Sequence, residues 1–267
     1  FGDIQNIAKA KGEIYKDLRN NGTAVINIDE PHAQVWIKST NAKVITFSAH
    51  NIQADFSAQN ITSKKEGHFN FSLVTPQGTI QINLPLRGKH NIANAVASAA
   101  CAHTAGAKLQ TIKDGLNNLT QVEGRMECTK LSPDLFLIDD SYNASPGSVK
   151  AAIDTLIEIN GVSILVLGDM AELGQDEIQL HADIGKYAFD AGVDIFLAVG
   201  PLSFYAAKAF GVKSQHFNEK KELLNYLDDS KILNEDLPDI KKVILVKGSR
   251  FMGMEDISDL IKNQGVK

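Results

Sequence analysis

Two adjacent carboxylates and an amide follow a short apolar segment near the middle of the chain. Asp139, Asp140 and Asn143 come directly after residues 135–138, whose sequence Leu-Phe-Leu-Ile is typical of a strand buried on both faces. Beyond them, Ser145 is placed to cap a helix with apolar positions Val149, Ala152, Ile153, Leu156 and Ile157. Open α/β sheets bind ligands at this end of their strands. The alternative is that Asp139 and Asp140 only form a turn or cap a neighbouring helix.

A lysine lies on the apolar face of the first predicted helix, residues 3–18. Lys11 shares that stripe with Ile4, Ile7, Ala8, Ile14, Tyr15 and Leu18. In one interpretation its methylene stem packs on the core while its ammonium group reaches water. In the other, desolvation leaves a neutral amine that reacts with CO2, and the resulting carbamate binds a metal ion.

A third polar group opens an alanine-rich helix that is predicted to end near Gly106. Its expected buried positions are Ile92, Ala95, Val96 and Ala99. Asn91 is a candidate N-cap of this helix. Alternatively, His90, Asn91 and Asn94 could hydrogen-bond to and stack on a purine base.

The composition is that of an ordinary globular protein with room for two domains. The chain has 267 residues, 43% hydrophobic and 22% charged, and a formal net charge of -5. No basic field of the kind that nucleic acid requires is present. Cys101 and Cys128 have no partnered spacing, which excludes a disulfide framework and favours a reducing cytoplasm. We find no apolar run of the roughly 20 residues that a membrane span needs.

The order of the predicted elements gives an α/β fold class. Residues 34–86 contain short alternating segments, including 35–37 and 44–47, which predict antiparallel strands that form a small sheet attached to the main, parallel one. Strands and helices alternate strictly beyond Gly124, which predicts a doubly wound, mostly parallel sheet. No Gly-x-Gly-x-x-Gly follows any strand, which argues against a nicotinamide or flavin enzyme.

Six motifs carry a resemblance to a known family. In chain order they are Ala10-Lys11-Gly12-Glu13, Gly88-Lys89-His90-Asn91-Ile92-Ala93-Asn94-Ala95, Glu123-Gly124-Arg125, Ile138-Asp139-Asp140-Ser141-Tyr142-Asn143-Ala144, Gly168-Asp169-Met170-Ala171-Glu172-Leu173-Gly174 and Val246-Lys247-Gly248-Ser249-Arg250. Together they resemble the Mur ligases, most of all the members that add D-Ala-D-Ala to UDP-N-acetylmuramoyl-tripeptide. The resemblance implies that residues 1–124 are the C-terminal part of the central ATPase domain. Residues 125–267 would then be the Rossmann-like C-terminal domain.

The resemblance also implies a reaction and a cellular setting. A bacterial, cytoplasmic and monomeric enzyme would use ATP and Mg2+ to join D-Ala-D-Ala to the tripeptide through an acyl phosphate, for peptidoglycan synthesis. The chain starts at Phe1, immediately before the first predicted helix, and we find no phosphate-binding Gly-x-x-x-x-Gly-Lys-Ser/Thr in it. We therefore expect a longer protein with an upstream phosphate loop and uridine-nucleotide-binding domain. We predict no ligation by these residues alone.

Residue roles follow from the resemblance. Lys11 would be the carbamylated lysine that holds Mg2+, with Asn91 and Asn94 at the adenine and His90 beside it. Arg125 would reach the ATP phosphates, Asp140 would bind ribose or phosphate-bound metal, and Asn143 would lie near the terminal phosphate.

A second loop group is expected to shape the amine-substrate side of the cleft. We predict that Asp169, Lys247, Ser249 and Arg250 belong to it, whereas Asp169 as a helix cap and Glu172 as a surface ion-pair partner are the structural alternatives. His181 lies within the following helix and is predicted to pack rather than to catalyse.

Two other functions remain open from the sequence. One keeps the superfamily and changes the substrate, as in other Mur ligases or folylpolyglutamate synthetases. The other is a nucleotide-binding protein that has lost catalysis.

Overall fold

The computed structural model describes residues 4–19, 21–63, 68–120, 122–229 and 241–264. By their internal contacts the residues form two compact units, Phe1–Thr120 and Gln121–Lys267. Among the described residues, no helix combines the length and apolar character needed to cross a membrane.

The first unit is built on one mixed sheet. Its elements are α1 (Ile4–Lys16), β1 (Thr23–Asn27), α2 (Ala33–Ser39), β2 (Lys43–Ser48), β3 (Phe56–Ser63), β4 (Phe69–Thr75), β5 (Gly78–Leu84), α3 (His90–Thr104) and α4 (Leu109–Asn117). The strand order is β1-β2-β3-β4-β5. Strands β1, β2 and β3 pair in parallel, and β3, β4 and β5 pair antiparallel. The antiparallel strands are attached to the parallel part through β3, as predicted, but residues 44–47, expected among them, lie in β2 and pair in parallel.

The segment 35–37 is helical rather than extended. Val35, Trp36 and Ile37 lie inside α2. Ala33 is buried, and Trp36 and Ile37 are half-buried, a spacing of three and four residues that puts one helix face inward. The β-branched and aromatic side chains suggested a strand, but packing against neighbours outweighs that local preference.

Helix α3 supplies the core of the first unit, as predicted. Ile92, Ala95, Val96 and Ala99 are all buried in one cluster with the sheet residues Phe56, Phe71, Leu73 and Ile82. The small alanine side chains allow the helix backbone to lie close to the strands. The N-terminus of α3, which carries the predicted base-binding residues, is thereby fixed against the sheet.

The second unit is the doubly wound domain that the alternation predicted. Its elements are β6 (Glu127–Ser132), β7 (Leu135–Asp140), α5 (Pro146–Ile157), β8 (Val162–Gly168), α6 (Glu177–Ala191), β9 (Ile195–Val199), α7 (Ser203–Phe210), β10 (Ser214–Phe217), α8 (Lys220–Asp229), β11 (Lys242–Lys247) and α9 (Glu255–Gln264). The strand order is β10-β9-β8-β11-β7-β6, and only the pairing of β6 with β7 is antiparallel.

Both faces of this sheet are covered by helices. Leu165 and Leu167 of β8 point to a cluster that contains residues of α5, α6 and α7. Ile164 and Val166 point to the opposite cluster, which contains residues of α8 and α9. This alternation explains the continuous apolar runs of the central strands, because β11 is buried along its whole length and β8 from Ser163 onward. The carboxyl ends of β7, β8 and β11 meet at one edge, where the predicted loops follow.

Candidate functional site

The loop after β7 is held in place by a helix cap. Ser145 accepts a hydrogen bond from the backbone N–H of Ser148, and the Ser148 hydroxyl bonds back to the Ser145 backbone N–H. Pro146 occupies the first turn of α5. This reciprocal arrangement confirms the cap expected from the sequence, and it fixes where the loop from Asp140 to Asn143 ends.

A buried ion pair occupies the centre of this edge. The Lys247 ammonium lies 2.5 Å from Oδ2 of Asp140 and donates to the Asn143 carbonyl oxygen at 2.8 Å. The Lys247 side chain is 2% exposed and that of Asp140 is 13% exposed. Oδ1 of Asp140 accepts from the Met126 N–H at 3.1 Å. The two residues are adjacent because β11 pairs in parallel with β7, which sets Lys247 opposite Asp140.

Lys247 therefore belongs with Asp140 and Asn143 rather than with a separate loop group. Its charge offsets that of Asp140 within the buried edge, and its hydrogen bond to Asn143 shapes the loop backbone. The Asn143 side chain is exposed, and its own Oδ1 accepts from the Ala144 N–H at 2.9 Å. The Asp140 side chain is 13% exposed.

Asp139 takes a different part from its neighbour. It is 2% exposed, its Oδ1 accepts from the Ser141 N–H, and its Oδ2 lies 3.1 Å from the Lys262 ammonium. Lys262 also lies 3.3 Å from Glu127. Although burial lowers the pKa of Lys262, hydrogen bonds and charge from Asp139 and Glu127 raise it overall above its usual 10.5. This group links α9 to β6 and β7 and is structural.

Two arginines approach one tyrosine ring next to the ion pair. The guanidinium carbon of Arg125 is 4.1 Å from the ring centroid of Tyr142, and that of Arg250 is 5.7 Å away. Arg250 also pairs with Glu255 at 2.9 Å. Both arginines are exposed, and Tyr142 is 44% exposed. Arg125, predicted for the ATP phosphates, and Arg250, predicted for the amine substrate, thus contact the same ring.

The loop after β8 carries Asp169, whose carboxylate is occupied by backbone amides. It is 2% exposed and accepts from the N–H groups of Leu202 at 3.1 Å and Ser203 at 2.7 Å. Because Ser203 begins α7, Asp169 caps that helix from a distant part of the chain. This geometry corresponds to the capping alternative named for Asp169. Glu172, in the same loop, is exposed at a backbone φ of 60°.

Ser249 and His181 brace the same loop from two sides. The Ser249 hydroxyl accepts from the Ala171 N–H at 2.7 Å and donates to the Ala144 carbonyl oxygen at 3.3 Å. Nε2 of His181 accepts from the Met170 N–H at 2.9 Å, so Nδ1 donates to the Glu177 carbonyl oxygen at 2.7 Å. His181 is fully buried, which confirms the packed role predicted for it.

In the first unit, Lys11 is exposed on α1. The prediction of a buried apolar face on α1 is wrong at two positions, because Ile7 is 37% exposed and Ile14 is 68% exposed. Small residues, Ala8 and Gly12, instead face inward toward Trp36, whose indole N–H donates to the Ala8 carbonyl oxygen at 2.9 Å. A Cβ at Gly12 would lie 2.8 Å from the indole ring. The burial that the sequence seemed to give Lys11 is therefore absent within the described residues.

The N-terminus of α3 presents His90, Asn91 and Asn94. Asn91 is not its N-cap, because the helix begins at His90 and its N-cap, Lys89, makes no side-chain cap bond. Nδ2 of Asn91 donates to the Arg87 carbonyl oxygen at 2.7 Å, and its Oδ1 accepts from Nδ2 of Asn94 at 3.0 Å. His90 and Asn94 are exposed. These contacts orient the two amides relative to each other.

Sequence reasoning missed three features of these regions. Asp29 accepts from the Ser48 hydroxyl at 2.5 Å and from the Ala49 N–H at 2.9 Å, which ties the loops after β1 and β2 together. Met126 has a left-handed φ of 52°. The contact of Tyr142 with two arginines had no local signal. In the described part of the chain, no three acidic, histidine or cysteine side chains converge as a metal site.

Comparisons with known proteins give the family. Residues 1–102 match the Mur ligase middle domain, and residues 124–250 match the Mur ligase glutamate ligase domain. The chain is 42% identical to a UDP-N-acetylmuramoyl-tripeptide–D-alanyl-D-alanine ligase of Escherichia coli strain K12, over 99% of this chain and 57% of that protein. It is 37% identical to the ligase of the same name from Haemophilus influenzae, over 99% of this chain and 56% of that protein.

A solved structure gives the same result. The crystal structure of MurF from Acinetobacter baumannii matches with a TM-score of 0.86 and 31% identity, over 97% of this chain and 55% of that one. The chain spans little more than half the length of these relatives. Sequence motifs, both family models and the fold agree, and the chain belongs to the Mur ligase family.

Proposed function

We propose that this chain takes part in ATP-dependent ligation of D-Ala-D-Ala to UDP-N-acetylmuramoyl-tripeptide, in the synthesis of peptidoglycan precursors. The observation that carries the proposal is the identity of 37% and 42% to two ligases of that name along 99% of the chain. A neighbour that differed only in substrate would share the fold without such similarity along both units. We place the reaction in the bacterial cytoplasm and expect a monomer.

The proposed chemistry is a phosphoryl transfer followed by an acyl transfer. The terminal carboxylate of the tripeptide attacks the γ-phosphorus of ATP, which releases ADP and gives an acyl phosphate. The amine of D-Ala-D-Ala attacks the acyl carbon, loses a proton, and expels inorganic phosphate from the tetrahedral intermediate. Negative charge accumulates on phosphoryl oxygens in the first step, so the protein must chiefly position the groups and offset that charge.

The second unit supplies residues suited to that demand. Arg125 presents an exposed guanidinium group, which can bind phosphate oxygens through two parallel hydrogen bonds. Asp140 is proposed to accept from ribose hydroxyl groups, and Lys247 holds it in place from the buried side. Asn143 is proposed to lie at the terminal phosphate. Arg250 follows at the same edge and is proposed for the amine substrate, whereas Ser249, buried and bonded to Ala144 and Ala171, is proposed to fix the loop backbone there.

Asp169 supports the site indirectly. Its carboxylate is committed to the N–H groups at the start of α7, so we propose that it fixes the loop from Gly168 to Gly174 rather than binding D-Ala-D-Ala itself.

The first unit supplies the proposed base-binding residues. Asn91 and Asn94 are held amide to amide, which leaves further donor and acceptor positions for the Watson–Crick edge of adenine. His90 is exposed beside them and is proposed to stack on the base.

Mg2+ enters the proposal through Lys11. Its carbamate would supply the hard oxygen ligands that Mg2+ prefers, and the bound ion would offset charge on the ATP phosphates. Lys11 is accessible to CO2 at the surface of α1, although the desolvation expected to keep its amine neutral is not provided by the described residues.

Phosphate release tests the function. We would express the protein from its full open reading frame and supply ATP, Mg2+ and the UDP-muramoyl-tripeptide with either D-Ala-D-Ala or single amino acids. Release that depends strictly on D-Ala-D-Ala supports the proposal, and release with another amine supports a different ligase of the superfamily. Tight ATP binding with no release for any amine would instead support a non-catalytic nucleotide-binding protein.

A further inference from the structure

The Tyr142 ring is contacted by two exposed arginines, and the proposed function gives it no role. Its ring centroid is 4.1 Å from the guanidinium carbon of Arg125 and 5.7 Å from that of Arg250. The ring is 44% exposed, which is unusual for a tyrosine that only fills a core. A ring that attracts both cations favours the side-chain conformations that place them against it.

The backbone around Arg125 is fixed on both sides. The Gly124 carbonyl oxygen accepts from the Tyr142 N–H at 3.0 Å, and the Met126 N–H donates to Asp140 at 3.1 Å. Gly124 and Met126 both have left-handed φ values, 67° and 52°. Such a conformation in a methionine is uncommon and persists only where surrounding contacts enforce it. Arg125 is thus projected from a short segment that is bound to the loop carrying Tyr142.

The backbone before Arg250 is fixed as well. Ser249 is 2% exposed and hydrogen-bonded to Ala144 and Ala171, so the start of the following turn has a defined position. The Arg250 side chain itself is 63% exposed and pairs with Glu255. Rotation of this long side chain is therefore limited by the Glu255 carboxylate and the Tyr142 ring rather than by burial.

We propose that Tyr142 is a positioning residue that holds the guanidinium groups of Arg125 and Arg250 as one binding site for a phosphoryl group. The inference rests on the proposed function and extends it, since it places Arg250 at the phosphate rather than at the amine substrate. One guanidinium fork already satisfies the two oxygens of a carboxylate. A terminal phosphoryl group offers three oxygens, which suits two forks.

Binding of inorganic pyrophosphate to this chain tests the inference by calorimetry. Y142F keeps the ring and should bind within about twofold of the wild type, because the hydroxyl is not part of the cation–ring contact. Y142L keeps apolar bulk without a π face and should weaken binding about fivefold, as should R250M. The matched control is F204L, since Phe204 is also 44% exposed in the same unit and contacts Tyr205 and His216 but no arginine.

A second readout separates positioning from a general loss of structure. Nuclear magnetic resonance of the arginine Nε–H groups should show slow exchange for Arg125 and Arg250 in the wild type and in Y142F, and faster exchange for both in Y142L. The double variant Y142L/R250M should bind pyrophosphate more weakly than R250M alone, but by less than the product of the two single losses, because part of the Y142L effect acts through Arg250. If Y142L melts at a lower temperature than F204L, its weaker binding could reflect a loss of structure. The test of positioning then uses the R250M titration and the exchange rates in Y142F.

Several outcomes would overturn the inference. They are unchanged pyrophosphate binding in Y142L, equal loss in Y142F and Y142L, no binding by the wild type, or acetate that binds as tightly as pyrophosphate. The proposed function fails separately, through absence of D-Ala-D-Ala-dependent phosphate release by the protein from the full open reading frame. If pyrophosphate binding depends on the Tyr142 ring but the protein shows no D-Ala-D-Ala-dependent phosphate release, the anion-binding site is supported and the ligase function is rejected.

Discussion

The polar residues of the two units are held in different ways. At the edge of the second unit's sheet, Lys247, Asp169 and Ser249 are each 2% exposed and hydrogen-bonded to loops from distant parts of the chain. In the first unit, Lys11 and Asn94 are exposed on helices. Side chains of the first kind are positioned by a buried network that joins distant loops, whereas those of the second kind depend on the packing of their helices and, for Asn94, on a hydrogen bond to Asn91 in the same helix. Substitution of a polar residue should therefore lower the free energy of unfolding much more in the second unit than in the first.

The largest effect is expected from breaking the buried pair. K247M removes the cation but leaves the Asp140 carboxylate, 13% exposed, without its charge partner. We expect a loss of about 3 kcal/mol in the free energy of unfolding. Urea unfolding followed by far-ultraviolet circular dichroism measures it.

The double variant D140N/K247M is the control, because it removes both charges. It should recover part of the lost stability, since the penalty comes from the charge left behind. If K247M unfolds at the same urea concentration as the wild type, the network does not hold this edge and the comparison fails.

A smaller effect is expected at the helix contact of the first unit. In G12A, the added methyl carbon would lie 2.8 Å from the Trp36 ring, so the indole or α1 must shift. Overpacking of this kind costs about 1–3 kcal/mol, partly offset here by the better helix propensity of alanine. The chain has a single tryptophan, so its fluorescence reports this contact directly.

Lys9 offers the matched control for that change, because it is exposed on the same helix. K9A should leave the tryptophan emission and the unfolding midpoint unchanged. An emission spectrum that is the same in G12A and wild type would show that α1 does not depend on this close approach.

The ion pairs of Lys262 with Asp139 and Glu127 should contribute about 1 kcal/mol or less to the free energy of unfolding, and this contribution depends on pH. Its folded-state pKa is raised above the usual 10.5, so its stabilising contribution is complete below that value and is lost as the pH rises through the folded pKa. We expect the melting temperature of the wild type to fall toward that of K262M between about pH 10 and 11.5.

A parallel alkaline loss comes from Tyr187, whose pKa is raised by its hydrogen bond to Asp154, and K262M retains it. The difference between the two proteins therefore isolates Lys262. A difference in melting temperature that stays constant up to pH 11.5 would contradict the assignment.

The sequence predicted most of this organisation but not the contacts that hold it. Strand and helix positions in the second unit follow from continuous apolar runs and helical spacing, which are local properties. That Lys247 lies against Asp140 depends on β11 inserting between β7 and β8, and strand order is not encoded in either segment alone. Likewise, the stripe assigned to α1 was misjudged because two isoleucines remain exposed and a glycine provides the contact.

The smallest change in stability is expected from K11M, and this variant tests most directly how the polar residues of the two units differ. Lys11 is exposed and forms no ion pair with the described part of the chain, so its replacement should alter the free energy of unfolding by less than about 0.5 kcal/mol. The same variant, in the protein from the full open reading frame, should lose D-Ala-D-Ala-dependent phosphate release if Lys11 acts as a carbamate. K9M serves as the control for an exposed lysine on α1. Full phosphate release by K11M would reject the carbamate, while a marked loss of stability would show that Lys11, like Lys247, is part of a structural network.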